Sequence, residues 1–130
     1  YACGSKEIIK ILQKIKIPWS VNSLAQDAAN AVIKNTSHIK KSNLIIEKEL
    51  KYLENAISIL KGFECISSST NFILIKTKYD STKLQTKLLK SKILIRDCKN
   101  FRGLDNHYIR IAVKSHKDNV KLVAALEKII

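Results

Sequence analysis

The sequence predicts an α+β domain: a small sheet of three or four strands with helices on one face, entered by a long helix. Two patterns carry this reading. Up to about residue 61 the apolar residues recur only at helical spacing. From Phe63 onward short β-branched runs alternate with helical stretches, in the order β-α-β-β-α.

The elements follow in order. Residues 6–16 mix lysines with Ile8, Ile9, Leu12 and Ile15, a short amphipathic helix that Pro18 stops. Asn22 or Ser23 can cap a second helix through Ala25, Ala28, Ala29, Val32 and Ile33, whose alanines suit close packing against a neighbour. From about Ser37 to Lys61 runs the longest helix. Its apolar stripe is Ile46, Leu50, Leu53, Ile57 and Leu60, and Gly62 suits its stop. At 1.5 Å per residue it spans about 36 Å, long enough to bridge two bodies. Phe63–Ile66 and Asn71–Lys76 read as strands around a Ser-Ser-Ser-Thr loop. Asp80 or Ser81 caps a helix carrying Leu84, Leu88 and Leu89. Ile93–Arg96 is a strand, 97–106 a polar loop, and His107–Val113 another strand. Ser115 with Asp118 resembles a capping box before a last helix that turns Leu122, Val123, Leu126 and Ile130 inward. A right-handed crossover makes the strands at 71–76 and 93–96 parallel. The strand at 107–113 is expected between them, antiparallel to both; their direct adjacency is the alternative.

Composition narrows the function classes. Apolar residues are 45% and charged residues 27%, ordinary for a soluble globular protein. No apolar run approaches the ~18 residues of a membrane helix, so no membrane partner is expected. The start does not read as a signal peptide, and the lack of any Met suits a piece of a longer chain. Cys3, Cys65 and Cys98 lack zinc-ligand spacing and are expected as free, buried or half-buried thiols in a reducing cytoplasm. His38, His107 and His116 are expected on the surface or at strand ends, not as metal ligands. The net charge of +13 raises nucleic-acid binding. The lysines are scattered, however, and the aromatics form no stacking pattern, so no specific nucleic acid is expected, and a stand-alone basic binding module is the competing function class.

The distribution of the basic residues is sharper than their number. Of the 24, 21 are lysines, and the three arginines, Arg96, Arg102 and Arg110, fall within 15 residues. Lysine suffices for a solvated charge, whereas arginine offers a planar fork matched to carboxylate or phosphate. Chance clustering with surface ion pairs is the competing account. Strand alternation adds direction. Ile109, Ile111 and Val113 share one face, which must meet the helices. Tyr108, Arg110 and Ala112 share the other. Ile93 and Ile95 point inward and send Arg96 to the same open side as Arg110. Such arginines are free if that face meets water, and functional if it closes on an anionic ligand. Asp97 either orients Arg96 or is solvated. Trp19 is expected at a domain junction.

The segment Ile93-Leu-Ile-Arg-Asp-Cys-Lys-Asn-Phe-Arg-Gly-Leu-Asp-Asn-His-Tyr-Ile-Arg-Ile-Ala-Val113, continued by Asp118-Asn and Leu122–Leu126, resembles the C-terminal part of pyridoxal-phosphate enzymes of the class I/II aminotransferase superfamily. Within it the likeness is to threonine-phosphate decarboxylases of the cobalamin pathway and histidinol-phosphate aminotransferases. Pro18-Trp-Ser-Val-Asn-Ser-Leu-Ala25 is similar to their segment after the cofactor lysine, and Asn100–Asp105 favours the decarboxylases. The resemblance covers essentially the whole chain. It implies that residues 1–36 are a helical junction with a larger pyridoxal-phosphate domain, and that 37–130 form the small C-terminal domain. It implies that Arg110 holds the substrate carboxylate and Arg96 the phosphate of a phosphorylated amino acid, with the two roles exchangeable. Arg102 would be a rim residue. The Schiff-base lysine, the aspartate facing the pyridine nitrogen and the phosphate cup would lie upstream. No catalytic, cofactor or metal residue is therefore expected in this chain, which alone would be inactive. The complete enzyme would be a cytoplasmic homodimer.

Overall fold

A computed structural model describes residues 3–129; Ile130 lies outside the described residues. Two compact units divide the chain, residues 1–40 and 41–130.

The first unit holds α1 (Lys6–Ile15) and α2 (Ser23–Lys34). Ser5 caps α1 through a bond from the Ile8 N–H, and Asn22 caps α2 through a 2.8 Å bond from the Ala25 N–H. Neither helix buries a residue. Trp19, in the turn after Pro18, takes the left-handed conformation and is 95% exposed.

Asn35 separates α2 from α3 (Thr36–Ser58), and the division between the units falls within α3. Along α3 the predicted stripe becomes steadily more buried: Ile46 and Leu50 are half-buried, Leu53 and Ile57 fully buried. The helix ends four residues before Gly62. Leu60 and Phe63 are tied back by turn bonds to Ile57 and Leu60, and Gly62, at φ 93°, makes the corner into β1 (Phe63–Ile66).

The second unit continues with β2 (Phe72–Thr77), α4 (Ser81–Lys90), β3 (Arg96–Asp97), β4 (Tyr108–Ala112) and α5 (His116–Glu127). The sheet order is β1-β2-β4-β3, with every neighbouring pair antiparallel. β4 thus lies between β2 and β3, which run parallel to each other, as the crossover argument expects. Leu53, Ile57, Leu84, Leu88, Leu122 and Leu126 from the helices pack on Phe63, Ile73, Ile75, Ile95, Ile109 and Ile111 from the sheet side. The helices therefore cover one face only.

One strand is shorter than its sequence suggests. β3 begins at Arg96, not Ile93. Lys92 takes a left-handed conformation, and the Ile93 N–H still bonds back to Leu88 O, so the first residues after α4 belong to its exit turn. The Ile95 carbonyl accepts a bond from Gln85 Nε2 at 2.7 Å. α5 starts with Ser115, whose hydroxyl accepts from the Asp118 N–H and donates to Asp118 Oδ2 at 2.7 Å. This differs from the usual box, in which the acidic side chain reaches back to the cap's own N–H.

Candidate functional site

The site begins with a register. Arg96 on β3 and Arg110 on β4 are direct Cα partners, and Leu74 on β2 lies opposite Arg110 on its other side. Directly opposed residues share a face. Ile109 and Ile111 are buried on the helix side, so Arg96 and Arg110 both leave the uncovered side. Arg110 is half-buried and Arg96 exposed. An open groove of about 580 Å³ is lined by both arginines with Asn71, Phe72, Leu94 and Ala112 among others.

Each guanidinium has neighbours that direct it. Arg96 Nη2 donates to Asn100 Oδ1 at 2.8 Å, and its Cζ lies 5.2 Å from the centroid of the Phe101 ring. Arg110 Cζ lies 4.6 Å from the Phe72 ring centroid and 5.9 Å from that of Phe101. These are cation–π distances. The ion pairs among the described residues are Lys51–Glu47, Lys99–Asp97 and His116–Glu49, so no carboxylate neutralises either arginine. Two like charges facing each other across a ladder disfavour the sheet unless an anion joins them. Burial raises the Cys98 thiol, and Arg110 and Arg96 pull it the other way, as nearby cations must.

Asp97 does not orient Arg96. Alternation sends it to the other face, where its carboxylate accepts from Ser81 Oγ and Thr82 Oγ1, both at 2.8 Å, and from the Lys99 N–H at 3.0 Å. Burial pulls this carboxyl upward, but those bonds together hold it below the usual range. Asn100 takes the role at Arg96 instead. Sequence reasoning missed Asn100, Phe101 and Phe72. The available signal was Phe101, the one aromatic in the polar stretch 97–106 between two arginines. Arg102 is exposed in that loop.

The histidines behave differently from one another. His38 is exposed, and His107 Nδ1 lies 3.0 Å from Thr77 O. His116 bonds through Nδ1 to Glu49 Oε2 at 3.1 Å, a contact the sequence did not announce. Glu49, buried on α3, also accepts from Asn119 Nδ2 at 3.0 Å. The Asn119 amide is the main reason its carboxyl sits low, against burial and with help from His116. The cysteines are free; Cys98 is buried and Cys65 half-buried, but Cys3 is exposed, contrary to expectation. Among the described residues no three His, Cys, Asp or Glu side chains gather as a metal site, and no helix is long and apolar enough to cross a membrane.

The fold and this arrangement define a small α+β domain that presents paired arginines on an open sheet face. The chain belongs to the aminotransferase class I and II family, whose model matches residues 1–129. It is 35% identical over 127 residues to a protein of Caldanaerobacter subterraneus subsp. tengcongensis that is provisionally described as a threonine-phosphate decarboxylase, covering 97% of this chain and 35% of that one. Two solved structures match closely. The histidinol-phosphate aminotransferase of Clostridium acetobutylicum superposes with a TM-score of 0.85 at 35% identity, over 96% of this chain and 38% of that one. The L-threonine-O-3-phosphate decarboxylase of Porphyromonas gingivalis gives 0.77 at 30% identity, over 96% and 39%. The chain thus spans about a third of the length of the curated relatives it matches.

Family members are pyridoxal-phosphate enzymes. No lysine of this chain is set up to form the cofactor's imine. All 21 lysines are exposed, whereas an imine-forming lysine needs burial or a neighbouring cation to lose its proton near neutral pH. What the chain does bring together is a pair of guanidinium forks on one sheet face.

Proposed function

We propose that this chain is the substrate-binding C-terminal part of a cytoplasmic, pyridoxal-phosphate-dependent L-threonine-O-3-phosphate decarboxylase of cobalamin biosynthesis, which yields (R)-1-amino-2-propanol O-2-phosphate. In this reading residues 1–36 are the junction with a larger domain that holds the cofactor, and 37–130 are the small domain of a homodimer. The observation that carries it is the Arg96–Arg110 pair, opposed on one sheet face with no acidic partner among the described residues. Threonine phosphate has two anionic ends. Arg110 takes the carboxylate and Arg96 the phosphate, and two clamps at opposite ends fix the orientation of the bonds at Cα. The Asn100–Asp105 stretch supports the decarboxylase.

A second reading, a histidinol-phosphate aminotransferase, is favoured by the superposition with the Clostridium acetobutylicum enzyme. The substrates separate the two, since histidinol phosphate carries a phosphate but no carboxylate. The experiment is kcat/KM for L-threonine phosphate, L-threonine and histidinol phosphate, in a complete enzyme carrying this C-terminal part. Arg96→Ala should erase most of the advantage of threonine phosphate over threonine, while Arg102→Ala changes little. Equal losses for both substrates in every variant would reject Arg96 as the phosphate clamp. Turnover of histidinol phosphate alone would select the second reading.

A further inference from the structure

We propose that Phe101 is a positioning residue that sets the directions of both guanidiniums at once, and with them the spacing of the two anions the site accepts. The proposal deepens the reading above and rests on it.

The backbone of Phe101 is fixed on both sides. Its N–H bonds to Cys98 O at 2.9 Å, and its carbonyl accepts the Leu104 N–H at 3.0 Å. Cys98 is itself tied to the sheet by a 3.0 Å bond from its N–H to Tyr108 O, and its side chain is buried. The turn is therefore an extension of the β3–β4 ladder, not a loose loop. It delivers one ring to two cations, at 5.2 Å from Arg96 Cζ and 5.9 Å from Arg110 Cζ. The neighbouring residue, Asn100, accepts the bond from Arg96 Nη2.

Long arginine side chains on an open face would otherwise sample many rotamers, and ordering them on binding costs affinity. Two cations that repel each other would also splay apart. A π face within reach of both offsets part of that repulsion and orders the pair before a ligand arrives. The guanidinium carbons then lie no further apart than the sum of their two distances to the ring. That bound sets an upper limit to the spacing of two anionic groups that both forks can hold together.

The chain's three arginines give three side-chain Nε–Hε signals, which makes NMR a direct test. In the wild type, the Arg96 and Arg110 signals should lie upfield of Arg102 through the ring current. Phe101→Leu should abolish this displacement at Arg96 and only reduce it at Arg110, which keeps the Phe72 ring at 4.6 Å, and Phe101→Tyr should keep both. In a titration with inorganic phosphate, Phe101→Leu should raise the midpoint at Arg96 about three- to ten-fold, and Phe101→Tyr should restore it. Melting temperatures of the two variants separate this effect from a folding defect. If the wild-type signals of Arg96 and Arg110 show no displacement, the ring does not position them. If phosphate moves Arg96 equally well in wild type and Phe101→Leu, the positioning role fails while the anion site stands. If phosphate moves neither arginine in the wild type, the anion site fails and the positioning role falls with it.

Discussion

Arginine at position 110 matters for its shape as well as its charge. A lysine there would keep the cation but lose the planar fork and its stacking on Phe72. Arg110→Lys should therefore cost about 1.5–3 kcal/mol of transition-state binding, read as kcat/KM in a complete enzyme. Asp97, one residue along the ladder from Arg96, acts through the opposite face. It fastens β3 to the first turn of α4, and Asp97→Ala should destabilise the domain by about 2 kcal/mol through lost charge-assisted bonds. Its folded carboxyl titrates below the ordinary value. The stabilisation is thus full above the unfolded pKa of about 3.9 and lost as pH falls through the lower folded value. Denaturant melts of wild type and Asp97→Ala should differ by a constant amount at neutral pH and converge under strong acid. A gap that persists at pH 2 would mean that packing, not charge, sets the difference.

At the level of elements, caps and stripes are legible in the sequence. Asn22, Asp80 and Ser115 cap their helices as their side chains predict, because a cap is a contact over three residues. The common face of Arg96 and Arg110 was legible for the same reason: alternation is local. Contacts between distant residues were not. Glu49 sits in a lysine-rich helix and reads as a solvated charge, yet its partners His116 and Asn119 lie 67 and 70 residues away. Asn119 also bonds the Lys114 N–H and carbonyl, so it joins the start of α5 to α3. Asn119→Ala should lower the melting temperature by roughly 5–10 °C, measured by circular dichroism. Gly62 shows a second kind of concealment. The sequence presents it as a helix stop, but its work is the corner before β1, where an added Cβ would lie 2.6 Å from Lys78 side-chain carbons. Gly62→Ala should cost about 1–3 kcal/mol, chiefly from the strained φ because the lysine can move. An unchanged denaturation midpoint would show that the corner relaxes.

For the whole molecule, the contrast between the two units governs behaviour in solution. The second unit has a closed core. The first exposes Ile11, Ile15, Ile17, Leu24, Val32 and Ile33 on helices and linkers that bury nothing. Apolar surface of that extent draws chains together. The isolated chain should therefore self-associate as concentration rises, and sedimentation should show a growing oligomer fraction. A monomer throughout a wide concentration range would count against this.

The brevity of β3 has a consequence for fibre formation. A strand at the rim of a sheet offers its free carbonyls and amides to any passing chain, and rims are where stacked polymers begin. On the β3 side the rim is two residues long, and the Cys98 N–H bond to Tyr108 O sets the alternation that turns the Ile95 carbonyl outward. Gln85 already occupies that carbonyl, so α4 acts as a stopper at the place where a foreign strand would start to pair. Gln85→Ala would remove the stopper and leave the fold's core untouched. Thioflavin fluorescence under gentle agitation should then rise sooner than in the wild type, in a protein that melts at nearly the same temperature.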